Sequence, residues 1–97
     1  MKILAMEVEA KGVKPEQFAP HLQAEARRVW ELYESGVLRE LYFRADRSEA
    51  VLILECADGE DAQHVLASLP LVQQGLIRFE VIPLAPYPGF ARLFGEK

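Results

Sequence analysis

A single cysteine, no long apolar run and no surplus of basic charge mark this chain, and each shortage removes a class of function. Cys56 alone cannot form an internal disulfide, and no second cysteine or histidine stands at ligand spacing, so no metal site is expected. No apolar run approaches the roughly 18 residues that a membrane span needs, so a membrane is not an expected partner. No charged leader followed by an apolar core resembles a signal peptide, which makes a reducing cytoplasm the expected location. Eleven basic residues are scattered among fifteen acidic ones, for a net charge of −4. They form no stripe that would track a phosphate backbone, so nucleic acid is not an expected partner either. A glycine-rich phosphate loop and a nucleophile elbow are also missing.

What is present is apolar and periodic. Hydrophobic residues make up 51% of the 97 positions and charged residues 27%, the balance of an ordinary globular domain with one core. "KILAMEVEA" alternates in its second half, with Leu4, Met6 and Val8 on one side and Ala5, Glu7 and Glu9 on the other, which predicts a strand. Gly12 and Pro15 break it and lead into a helix from about Ala19 to Ser35, closed by Gly36, with Pro20 in the first turn. Leu22, Ala26, Val29 and Tyr33 form its buried stripe, with Trp30 on the edge. "VLRELYFRA" predicts a second strand, Val37 to about Ala45, and the polar turn "DRSE" leads to a third, "AVLILEC". "DGEDAQHVLASLP" predicts a short helix with Asp58 as N-cap, a stripe of Ala62, Val65, Leu66 and Leu69, and Pro70 as its stop. "LIRFEVI", Leu76 to Ile82, is the last strand.

The order β-α-β-β-α-β is the split βαβ pattern of an α+β, ferredoxin-like sandwich, a four-stranded antiparallel sheet with two helices on one face. Its third strand is apolar on both sides: Ala50, Leu52 and Leu54 point one way, Val51 and Ile53 the other. Helices can cover only one face, so the other predicts burial against a second copy, a two-fold homodimer or a higher homo-oligomer. Residues 1–83 form the domain. Residues 84–97 form an apolar tail, "LAPYPGFARLF" at its heart, expected to pack on a neighbouring subunit or across a pocket mouth.

Two clusters carry candidate chemistry. His21 and Glu25, four residues apart, share one helix flank, where a neighbouring carboxylate can tune a histidine for proton exchange near neutrality. The competing reading is an exposed helix pair worth a few tenths of a kcal/mol. Arg39 shares a strand face with Val37, Leu41 and Phe43 and is suited to gripping a carboxylate, of a ligand or of an acidic residue across a subunit interface. Tyr33 and Trp30 line either a pocket or plain core. His64 falls opposite its helix's apolar stripe and is expected in solvent.

"LQAEARRVWELYESG", "RELYFRA" and "LASLPLVQQGLIRFEVIPLAPYP", in this order and spacing, resemble the muconolactone delta-isomerase family of dimeric α/β-barrel proteins, over most of the chain. The resemblance implies assembly through sheet faces, a pocket between sheet and helices, and movement of a double bond in a small carboxylate-bearing lactone by proton transfer, without metal or cofactor. Arg39 and Tyr42 align with an arginine and an aromatic of the family's strand, whereas Gln23 and Ala26 stand where the isomerases carry a lysine and a glutamate. The expected function is therefore cofactor-free proton transfer on a small anionic, cyclic or unsaturated metabolite. His21 and Glu25 would handle the proton, Arg39 would anchor the anion, and Tyr42 or Tyr33 would meet the ring. The alternatives are a non-catalytic ligand-binding or assembly protein of the same fold, and a cofactor-free oxygenase.

Overall fold

The computed structural model describes residues 1–95. Strand β1 (Lys2–Glu9) is followed by a short helix α1 (Pro15–Phe18), a 3₁₀ turn (Ala19–His21) and the main helix α2 (Leu22–Glu34). Strands β2 (Leu38–Phe43) and β3 (Ala50–Glu55) form a hairpin, helix α3 (Gly59–Leu66) and a four-residue helix α4 (Pro70–Gln73) come next, and β4 (Ile77–Pro83) closes the sheet. The strands lie in the order β2-β3-β1-β4, all antiparallel, as the ferredoxin-like pattern requires. No helix among the described residues is long and apolar enough to cross a membrane.

Strand alternation sets the two faces. Ile3, Ala5, Leu52, Leu54, Ile77 and Phe79 turn towards the helices and are buried, where they meet Leu32, Ala62, Leu66, Leu69 and Leu71. Ile3, Leu38, Leu54, Leu66 and Leu69 are each less than 2% exposed, and burial of such a side chain stabilises by about 1.5–3 kcal/mol. Leu4, Met6, Val51 and Ile53 form the opposite face, paired Leu4 to Ile53 and Met6 to Val51, and remain only half-buried.

Three local details differ from simple periodicity. Leu38 pairs with Leu54 and Glu40 with Ile53, so β2 carries a bulge at Arg39. An extra residue shifts alternation by one, which brings both Leu38 and Leu41 to the helix side. Arg39 is thus the exposed, bulged residue and is not one of a face shared with Leu41 and Phe43; its Nε donates to the Gly36 carbonyl. The first long helix begins at Leu22, not Ala19, because Pro20 falls in the 3₁₀ turn and His21 is the N-cap residue. Pro70 does not stop α3, which ends at Leu66; it opens α4, where its missing N–H costs nothing.

Other local signals act as the residues suggest. Gly36 closes α2 at φ +84°, a conformation open to glycine. The Asp58 carboxylate accepts the Asp61 N–H at 2.8 Å, capping α3. Beyond Pro83 the Leu84 N–H still donates to the Lys2 carbonyl at 2.9 Å, and the chain then turns into a 3₁₀ segment at Gly89–Phe94. The Tyr87 ring lies where a Cβ on Gly89 would stand and meets Phe90 edge-on at 5.1 Å. The molecule is 59 Å long with a radius of gyration of 16.2 Å, against about 13 Å for a compact chain of this size.

Candidate active site

Between the sheet and α2 lies an open cavity of about 720 Å³. Period-two alternation on β1 and the hairpin strands, and the turn-by-turn face of α2, aim the lining inward. Phe18, Leu22, Val29, Trp30, Tyr33, Leu41, Phe43, Leu52, Leu69, Leu71 and Phe79 supply most of it, and Trp30 and Tyr33 lean together with ring centres 5.9 Å apart. Three carboxylates, Glu7, Glu9 and Glu25, interrupt this apolar wall. No arginine, lysine or histidine lines it among the described residues.

Glu25 sits half-buried on α2, and its Oε1 accepts the Leu71 backbone N–H at 2.9 Å. Burial pushes its pKa above the ordinary carboxylate value, and the Leu71 amide, which favours the ionised form, only partly offsets this. Glu7 sits in a similar setting on β1, with Oε1 accepting the Ala50 N–H at 2.9 Å. Its pKa is likewise raised, first by burial, then by the charges of Glu49, Glu9 and Glu25, against the Ala50 hydrogen bond. A carboxyl held towards neutrality can give a proton as well as take one, which is the property a proton shuttle requires.

The structure distributes the five sequence-derived candidates unevenly. Glu25 and Tyr33 line the cavity; His21, Arg39 and Tyr42 do not. His21 is partly buried at the N-cap of α2, and among the described residues no hydrogen bond or ion pair joins it to Glu25, whose Oε1 is directed to Leu71. Tyr42 pairs with Val51 on the opposite sheet face, and its hydroxyl donates to Glu40 Oε1 at 2.8 Å. His64 is exposed and Cys56 buried. Among the described residues no group of three or more histidine, cysteine, aspartate or glutamate side chains is placed to hold a metal ion.

Sequence reasoning passed over Glu7. Its signal was nonetheless there: Glu7 and Glu9 continue the face of Ile3 and Ala5, so a strand that is buried at its start carries a half-buried Glu7 and an exposed Glu9 on the helix side at its end.

An antiparallel ferredoxin-like sheet with helices on one face and a carboxylate-bearing open cavity between the layers defines an α+β domain of the ferredoxin-like class. The muconolactone delta-isomerase family profile matches residues 3–89, and the chain belongs to that family. The crystal structure of muconolactone isomerase is similar, with a TM-score of 0.73, covering 91% of this chain and 92% of that one. At 19% identity this likeness speaks for the fold alone. No curated protein matches the chain in sequence.

Proposed function

We propose that this protein is a cofactor-free, isomerase-like enzyme that moves a proton on a small cyclic or unsaturated metabolite held in the cavity. The observation that carries this reading is the pair of half-buried carboxyls, Glu25 and Glu7, lining one apolar space with raised pKa values. Moving a double bond requires removal of a proton from one carbon and its delivery to another. A carboxylate performs the first step, and either the same group or its neighbour, once protonated, performs the second. The walls offer the substrate apolar surface, and Tyr33 offers a hydroxyl and a ring edge.

The negative charge expected on the substrate came from the family resemblance and from Arg39, which lies outside the lining. The lining supports an apolar substrate, and among the described residues it carries no cation to anchor an anion. An open space of this size, rather than one filled by side chains, supports an enzyme over a scaffold that has lost its site.

The chain is further proposed to work as a homo-oligomer. The half-exposed Leu4, Met6, Val51 and Ile53 face supports a sheet-to-sheet contact. Tyr87, Phe90, Leu93 and Phe94 are 67, 65, 74 and 82% exposed, so their own chain does not cover the tail.

The test is incorporation of solvent deuterium, followed by proton NMR, into muconolactone and a panel of small unsaturated lactones. Wild type should exchange the transferred hydrogen, and Glu25→Gln should lose at least about a hundredfold in rate, the usual contribution of a general acid or base. Full activity in Glu25→Gln and in Glu7→Gln would remove the proposal.

A further inference from the structure

The Ser68–Leu71 segment touches Glu25 in a way that the packing of two helices does not demand. Leu71 donates its backbone N–H to Glu25 Oε1 at 2.9 Å. One turn further along α2, Arg28 Nε donates to Ser68 Oγ at 2.8 Å, and Ser68 Oγ donates to the Val65 carbonyl at 2.6 Å. Two polar ties therefore join the same stretch of α2 to the same four residues. Pro70 sits between them with no N–H to offer and with φ restrained by its ring, while Leu69 and Leu71 on either side are buried in the core. The amide that meets Glu25 is held from both directions.

We propose that Ser68–Leu71 is a positioning element for Glu25: the Leu71 amide holds Oε1, leaving Oε2 as the oxygen that exchanges a proton with a ligand in the cavity. Pro70, Arg28 and Ser68 act through that amide and are positioning residues. This rests on the reading of Glu25 as a proton-handling group. A main-chain donor suits the task, because it lies in a plane fixed by the core and cannot rotate away as a hydroxyl can. It also limits how far burial can neutralise the carboxyl, since an N–H bond favours the charged form. The other charged or titratable groups on the elements around Glu25 are Arg28, His21 and Tyr33 on its own helical segment and Glu7 and Glu9 across the cavity on β1. Ser68–Leu71 adds no charged group.

The test reads Glu25 itself and needs no substrate. In full-length protein carrying carbon-13 at glutamate Cδ, the Glu25 resonance, assigned by its loss in Glu25→Gln, is followed through a pH titration. Replacing Leu71 by its α-hydroxy analogue exchanges the amide for an ester, which deletes the N–H and keeps the side chain. The Glu25 midpoint should move upward, a gain in proton affinity of about tenfold, while the Glu7 midpoint stays in place. Ser68→Ala, which leaves the backbone intact, should move the Glu25 midpoint in the same direction by less. An unchanged Glu25 midpoint in the ester protein overturns the proposal, and should that protein not fold, an unchanged midpoint in Ser68→Ala does so. Neither result depends on turnover, so failure of the catalytic reading would appear separately, as undiminished exchange activity in Glu25→Gln.

Discussion

Deleting Arg39 is the sharpest test of how this sheet is built. Leu38 pairs with Leu54 and Glu40 with Ile53, with Arg39 as the extra residue between them. Removal of that residue makes the two pairs consecutive in an unbroken ladder, and no side chain changes face. The losses are the bond from Arg39 Nε to the Gly36 carbonyl and the extra local twist, together about 1 kcal/mol. Strict alternation from Val37 to Phe43 leads to the opposite result. With Val37, Arg39, Leu41 and Phe43 on one face and Leu38 on the other, deletion would force either Leu38 or the pair Leu41 and Phe43 to change face. Leu38 is 1% exposed, and taking it out of its buried position would cost about 1.5–3 kcal/mol on top of the losses above. Urea unfolding followed by circular dichroism separates the cases, provided that the m-value stays constant. A loss above about 3 kcal/mol, or a chain that does not fold, refutes the bulge argument. The same variant removes the arginine first expected to hold an anion, so deuterium exchange should continue in it.

Two further outcomes are expected. Glu7 and Glu25 have raised pKa values in the fold, so the folded state binds their protons more tightly than the unfolded chain does. Their contribution to stability is complete below the ordinary carboxylate range and is lost as pH rises through the elevated values. Thermal melts of wild type should therefore show this loss above the ordinary range, and the Glu7→Gln, Glu25→Gln double variant should show a flatter profile and melt higher at neutral pH. A wild-type profile of the same slope in the double variant contradicts the burial argument. Deletion of Tyr87 to Lys97 should lower the mass measured by sedimentation at micromolar concentration while leaving the far-ultraviolet dichroism of the domain in place. Unchanged sedimentation after allowance for the lost residues removes the tail from the assembly.

Element order, the helix caps and the ferredoxin-like class were legible in the residues, because each depends on local rules. Alternation in "LAMEVE" and "AVLILE" marks strands wherever they pair, and Asp58 and Gly36 mark helix ends by their own side-chain and backbone chemistry. The resemblance reached the family from three segments in their order and spacing over most of the chain, with no need of contacts between them.

The site was less legible, since it depends on contacts between distant residues. His21 and Glu25 are neighbours by count, yet Glu25 is bonded to Leu71, 46 residues away. The flank argument used helix geometry where Pro20 had already tightened the chain into a 3₁₀ turn. Arg39 looked inward because period two was carried through a bulge, and a bulge appears only when β2 is laid against β3. Glu7 was written on the right face from the start, but a lone strand gives no indication of which of its faces the helices will cover.

From the sequence alone came the order of the strands and the two main helices, the ends marked by Asp58 and Gly36 and the family they serve, since backbone preference and side-chain alternation act over a few residues. Only the tertiary structure decided which carboxyls share the cavity and which oxygen of Glu25 is tied, because burial and hydrogen-bond partners belong to the packed layers and to no segment by itself.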